Sequence, residues 1–452
     1  MNKFINTLKN IWSIKELRNR ILFTLGLLMV FRFGSFVILP GIVPGNLPSG
    51  SGQGLLGLIN AFTGGAFNKA AVMALGIMPY ISASIIVQLL GFAVPYFQRL
   101  QKREGESGRK KLTQITRWLT VAITLVQAGA YLSYITAGQG VIANGISPQI
   151  FWFANIIILT TGTIFAMWLG ERITEKGIGN GISLLIMIGI IASLPQSLIF
   201  EVQSRLQGAG GLFAFALEIA FLVAVVMATI MLVQGVRKIP IQFAKRMIGR
   251  GGNQMPARGS RDFIPLKVNA AGVMPIIFAQ ALMFLPATVA QFVNPDAMTG
   301  GGGILGALND FTSVPYNIIY FFMVVLFTYV YTALIVNPQQ YAEYLKRQNA
   351  YIPGIKPGKA TADYIDTVTT RITLPGSIFL GFVSILPAFA AAFGTNIAFA
   401  MFFGGTSLLI MVGVVLDTLQ QIESHLLMRR YDGLTKSGRL KKKGMMTIGA
   451  GM

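Results

Sequence analysis

Uninterrupted apolar runs recur along the whole chain, each of roughly 20 residues, the length an α-helix needs to cross the hydrocarbon of a bilayer. Backbone polar groups inside lipid must be satisfied within each segment, so such a chain folds as a bundle of spanning helices. A β-barrel would show short alternating segments instead. The runs predict ten spans, at 20–39, 71–94, 117–137, 151–170, 182–200, 212–236, 269–290, 315–336, 375–393 and 399–417. Charge supports this reading: 12% of the 452 residues are charged, against about a quarter in soluble proteins. One more apolar piece, GLLGLINAFTGGAF at 54–67, is too short and glycine-rich to cross and reads as a re-entrant or interfacial segment.

The net charge of +21 is unevenly placed. Lysine and arginine crowd the N-terminus, the tail, and the loops after the second, sixth and eighth spans. The alternate loops hold only Lys69 and Arg205. This predicts a multi-pass protein with both termini cytoplasmic. Residues 1–19 repeat Phe4, Leu8, Ile11 and Ile14 and read as an amphipathic helix on the inner surface, and 418–452 as a basic cytoplasmic tail. No cleavable signal peptide is expected before the first span. The loops at 237–268 and 337–374 are long and basic beyond what orientation requires. The excess suits a polyanionic partner: RNA, an acidic protein face or anionic lipid.

Catalytic chemistry finds little footing. There is no cysteine, and the single histidine, His425, lies in the tail. GIKPGKAT at 354–361 fails as a phosphate-binding loop, because only three residues separate Gly354 from Gly358 and Ala360 follows the lysine. GIGNG at 177–181 reads as a turn between two spans. No metal-ligand spacing is seen, so neither an enzyme nor a cofactor is expected. Arg32, Glu218 and Asp417 fall near span ends, where snorkelling or interfacial placement is expected. An ion-coupled transporter would carry a carboxylate near a span centre. A scaffold that binds ribosomes through basic loops would have no use for aligned isoleucines on four spans.

Those isoleucines are the remaining signal, although apolar stripes at this spacing serve plain helix packing equally well. In GIMPYISASIIVQLL, residues Ile77, Ile81, Ser84, Ile85 and Gln88 share one helical face, so Gln88 should face protein or a cavity. Asn269, Val273, Ile277, Gln280 and Phe284 share a face in the seventh span. Ile182, Ile186 and Gly189 align in the fifth, and Ile410 follows Thr406 by one turn in the tenth.

The stretches GIMPYISASIIVQLL, KREGESGRKK, MWLGERITEKGIGNGIS, IPLKVNAAGVMP, YTALIVNP, YIPGIKPG and FGGTSLLI together resemble the bacterial SecY family, over about residues 15–430. The resemblance implies an all-α polytopic membrane protein: ten transmembrane helices in two pseudo-symmetric five-helix halves around a central pore, the central subunit of a protein-conducting channel in the inner membrane. The first half would be 20–200, the hinge 201–211 and the second half 212–417. It further implies a pore ring at Ile77, Ile81, Ile182, Ile186, Ile277 and Ile410, an apolar collar that excludes water and ions. A movable plug would fall at 54–67, with Leu55, Leu56, Leu58, Ile59, Phe62 and Phe67. Gln88 and Asn269 match polar positions of a lateral gate. Arg250, Arg258 and Lys356 match docking positions for the ribosome, through its RNA, and for the motor ATPase SecA. The family usually carries arginine where Lys356 stands; lysine keeps the charge and loses the bidentate fork. SecE, SecG, signal-sequence-bearing polypeptides and anionic lipids complete the implied partners.

Overall fold

The computed structural model describes residues 12–47, 60, 62–102, 105–136, 140–143, 145, 147–207, 211–243, 247–248, 255–256, 261–280, 282–283 and 312–446. The fold is helical. Among the described residues, seven helices are long and apolar enough to cross a membrane. The other three expected spans fall on a helix with charged ends, Lys15–Gly34, on the shorter apolar helix Met78–Ala93, and on 269–290, of which 284–290 lies outside the described residues. The chain forms two compact units. Among the described residues, the first holds those up to Ser193 and those from Val414 on; the second holds those within Leu194–Gly413.

In the first unit the helices are α1 (Lys15–Gly34), α2 (Met78–Ala93), α3 (Pro95–Lys102), α4 (Gly105–Thr136), α5 (Pro148–Lys176) and the start of α6 (Gly181–Leu206). α4 packs on α2, α3 and α5, and α1 packs on α5. The buried face of α4 carries Thr116, Thr120, Thr124 and Ala128 at four-residue spacing. Each threonine hydroxyl donates to the carbonyl four residues back, at 2.9, 2.7 and 2.6 Å, so these three hydroxyls are satisfied in an apolar interior. Small side chains let the neighbours approach, as Ala83 of α2 does, fully buried. The bidentate pair of Arg117 with Glu171, at 3.0 and 2.6 Å, joins α4 to α5.

The second unit continues α6 and adds α7 (Gly211–Gln234), strands β1 (Val236–Phe243) and β2 (Arg261–Lys267), α8 (274–280), α9 (Val314–Ile335), α10 (Pro338–Arg347), β3 (Ala350–Tyr351), α11 (Lys359–Ala392) and the first turns of α12 (Gly405–Met446). α9 and α11 form its main helix pair. At their crossing Gly381 lets the Phe321 ring approach to within 2.6 Å of where a Cβ would stand. Phe278 of α8 seats against Tyr331 and Phe327 of α9, with ring centroids 5.1 and 5.8 Å apart.

Candidate channel-lining site

The short segment expected as a plug is described at residue 60 and from Phe62 on; Leu55, Leu56, Leu58 and Ile59 lie outside the described residues. Phe62 and Phe67 are both buried. The seat is built from three distant elements of the first unit. Arg32 Nη1, on α1, donates to the Gly64 carbonyl at 2.8 Å. Tyr131 Oη, on α4, donates to the Phe67 carbonyl at 2.6 Å, and the two rings meet at a tilt with centroids 4.7 Å apart. On α6, Gly189 has no room for a side chain, since a Cβ there would run into the Phe62 carbonyl. Gly64 sits at φ +63, a left-handed conformation that suits glycine.

Ile77 is not inside the helix, as its apolar run had suggested, but caps it. Residues 72–77 form turns, with Ala70 at φ 49 and Gly76 at φ 53, so regular helix begins only at Met78. Ile77 is buried and Ile81, one turn on, is half-buried. Pro79, Ala83 and Val87 are buried on the opposite side; on this one Ile85 is buried as well, and Ile81, Ser84 and Gln88 are less covered. Gln88 Nε2 donates to Ser84 Oγ at 3.2 Å along that side.

Ile182 and Ile186 follow the GIGNG turn. Asn180 Oδ1 accepts from the Ile182 and Ser183 amides at 3.1 and 3.4 Å, capping the helix start. The turn itself is gripped through its backbone: the Ile178 amide donates to Thr24 Oγ1 (3.1 Å), Gly179 to Gln421 Oε1 (2.8 Å) and Gly181 to Thr174 Oγ1 (2.9 Å). Gly181 presses on the Gly170 carbonyl so closely that a Cβ would collide with it. Sequence reasoning assigned no role to Thr24 or Gln421, which lie far from the turn along the chain. Of the six ring candidates, these four isoleucines belong to the first unit, and Ile277 (half-buried) and Ile410 (buried) to the second.

Asn269 is buried, and its Oδ1 has no hydrogen-bond partner among the described residues. It does not share a helical face with Ile277, contrary to the expectation. Residues 268–273 are turns, with Gly272 at φ +66, and the helix starts at Met274.

The two long basic loops form one body. β1 pairs antiparallel with β2 from Val236↔Lys267 to Gln242↔Arg261, and β3, from the other loop, adds at Gln242↔Tyr351 and Phe243↔Ala350. Ile239, Ile241, Ile264, Leu266, Leu345, Ala350, Ile352 and Ile365 close a common core. Pro240 is tolerated in β1 because β3 reaches only Gln242 and Phe243, leaving that edge unpaired at the proline. Ile352 and Ile355 anchor the base of the second loop's tip, whose turns use Gly354 (φ +85) and Gly358 (φ +109). Lys356 stands exposed at the tip, its carbonyl held by Thr361 Oγ1 at 2.9 Å. Arg250 and Arg258 lie outside the described residues.

Two span-end charges are not snorkelling. Arg32 holds the Gly64 carbonyl and lies over the Phe36 ring, 4.9 Å from its centroid. Glu218 pairs with Arg205, which also binds Glu201; Arg205 and Glu201 are buried and Glu218 is half-buried. Asp417 is exposed, as expected. Among the described residues no cluster of three or more His, Cys, Asp or Glu is placed to hold a metal ion.

The family model for SecY matches residues 71–419. A protein translocase subunit SecY from Streptomyces coelicolor is 42% identical over 436 residues, covering 93% of this chain and 97% of its own. The chain belongs to the SecY family. The Halalkalibacterium halodurans SecY is 43% identical, covering 95% of this chain and 99% of its own, and the Chlamydia muridarum SecY is 40% identical, covering 96% and 99%. Among solved structures, a protein-conducting channel superposes with a TM-score of 0.63 at 18% identity, covering 90% of this chain and 91% of that one. A SecY whose plug domain stabilises the closed state and maintains a membrane seal gives 0.61 at 19% identity, with the same coverage. Sec61 in a canine ribosome–channel complex gives 0.61 at 17% identity, again with 90% and 91% covered. At these identities the superpositions establish the SecY/Sec61 fold.

Proposed function

We propose that this SecY-family chain is the channel subunit of a protein translocase in the bacterial inner membrane, with both termini cytoplasmic. It passes unfolded secretory polypeptides outward and releases apolar segments sideways into lipid. The observation that carries this reading is kinship along nearly the whole chain to translocase subunits. The glycine-fitted seat of Phe62–Phe67 supplies the closing element that such a channel needs.

In this reading Ile77, Ile81, Ile182, Ile186, Ile277 and Ile410 line the constriction, and 54–67 is the plug. The hinge lies at 201–211, between the halves 20–200 and 212–417. Gln88 and Asn269 tune the lateral gate. An interhelical hydrogen bond in a membrane contributes only about 0.6–2 kcal/mol. An entering signal gains roughly 0.3–0.6 kcal/mol for each leucine-like residue that reaches lipid, so a segment of ordinary length outweighs the gate. The basic loops dock the ribosome and SecA, with Arg250, Arg258 and Lys356 as contacts. SecE and SecG are the membrane partners, and anionic lipids meet the basic face.

Site-specific photocrosslinking to a stalled secretory precursor tests this. Probes at Ile81 and Ile277 are expected to capture the precursor, while a probe at exposed Val126 on α4 captures none. Capture from Val126 and neither isoleucine would reject the pore assignment. Depletion of the chain should accumulate uncleaved precursors; their normal export would reject the function itself.

A further inference from the structure

Inside the second unit, beside the first turns of α9, lies a cavity of about 30 Å³. Gln280 of α8, Tyr316, Asn317 and Tyr320 of α9, Ser384 of α11 and Ser407 of α12 supply its polar lining. Gln280, Tyr316, Tyr320, Ser384 and Ser407 are all buried. Two of the lining side chains are engaged with backbone. Ser384 Oγ donates to the Gly381 carbonyl at 2.7 Å, and Asn317 Nδ2 to the Ser313 carbonyl at 2.8 Å. Among the described residues, the Gln280 side-chain amide and the hydroxyls of Tyr316, Tyr320 and Ser407 meet no direct protein partner.

In the interior of a membrane bundle a polar group favours a hydrogen-bonding neighbour. Four such groups converging on one small space call for a polar occupant. A water needs roughly 10–15 Å³ of such volume and two to four polar partners, and the cavity provides both. We propose that this cavity is a binding site for one or two ordered water molecules, held by Gln280, Tyr316, Tyr320 and Ser407. Gln280 and Ser407 sit three residues from Ile277 and Ile410 respectively, so the water bridges the same two helices that carry those isoleucines. The site does not depend on the channel reading: it follows from the lining and the volume alone.

X-ray radiolytic footprinting of the purified translocase, read by mass spectrometry, tests it, because radicals born from bound water label the side chains touching that water. Tyr320 is expected to be modified several-fold faster than Tyr131, which is also buried but bonded to the Phe67 carbonyl and is not part of the cavity lining. Gln280→Leu should bring the Tyr320 rate down to that of Tyr131 and leave Tyr131 unchanged. Ser407→Val, which fills the cavity from α12, serves as the second variant should Gln280→Leu fail to fold. Equal rates for Tyr320 and Tyr131 in the unaltered protein would overturn the proposal. So would an unchanged Tyr320 rate in a folded variant.

Discussion

Arg205 and Glu201 stand one turn apart near the end of α6, joined Nε to Oε1 at 2.9 Å. The same guanidinium pairs with Glu218 of α7 and donates to the Gly394 carbonyl at 3.1 Å. The other oxygen of Glu201 accepts from the Asn396 amide at 2.8 Å. One buried cation thus ties α6, α7 and the turn after α11 within the second unit.

Removing that cation strands two carboxylates. Breaking a buried pair from one side costs about 3–5 kcal/mol, because a charge is left desolvated and unmatched. Arg205→Ala is therefore expected to lower stability by that amount, read as a drop in the thermal unfolding midpoint of the purified complex. Glu218→Gln, which leaves Arg205 paired with Glu201, should cost much less. A loss below about 1 kcal/mol for Arg205→Ala, the range of exposed pairs, would count against the network.

The seat of Phe62–Phe67, the proposed plug, gives a graded pair of variants. Gly189→Ala drives a methyl into the Phe62 carbonyl, which cannot yield without moving the segment. The expected outcome is raised ion conductance of the reconstituted channel in planar bilayers, with signal-bearing precursors still exported. Unchanged conductance in a folded variant would show that the seat is not the seal.

Tyr131→Phe keeps the ring contact with Phe67 and loses one hydrogen bond, worth about 1 kcal/mol. Its leak is expected to be smaller than that of Gly189→Ala and to grow with temperature. Conductance above that of Gly189→Ala would reverse the proposed ranking of the two contacts.

Lys356 is exposed and its side chain supports no core contact, so Lys356→Ala should leave stability within about 0.5 kcal/mol. Ribosome affinity, measured across a salt series, should fall, with the log–log salt slope shallower by about one if the lysine meets a phosphate. An unchanged slope and affinity would remove Lys356 from the docking surface.

Gln88→Leu removes the side-chain bond to Ser84 on α2. Weak signal sequences should be accepted at altered rates in a precursor-processing assay, while strong signals are indifferent. Identical processing of the weak set would exclude a gate role for Gln88.

Much of the fold was legible because an apolar run of spanning length permits few alternatives. Legibility failed where local and tertiary demands part. The expected start of the second span at residue 71 ignored the backbone ties of the Leu39 amide to the Ala70 carbonyl and of the Val72 amide to the Val37 carbonyl, at 2.9 and 2.8 Å, which hold 71–77 out of helix. α4 and α11 begin well before their apolar stretches, at Gly105 and Lys359, since a helix need not stop where lipid does. KIPIQF and FIPLK alternate as strands do, yet their prolines masked the pairing. The seat of Phe62–Phe67 draws on Arg32, Tyr131 and Gly189, whose convergence no single sequence displays. Glu218 looked like a span-end charge because its partner Arg205 lies beyond the previous span, in what reads as a loop.

The strand shared by the two basic loops has a mechanical consequence. β1 follows directly from the end of α7, β2 leads into the turn before α8, and β3 lies between α10 and α11. A partner that grips the tip at Lys356 therefore pulls on a stiff handle rather than on a slack tether. The load reaches the loop-side ends of several helices of the second unit at once. Cutting the backbone between β3 and α11 would leave every contact residue in place and still disconnect grip from lever.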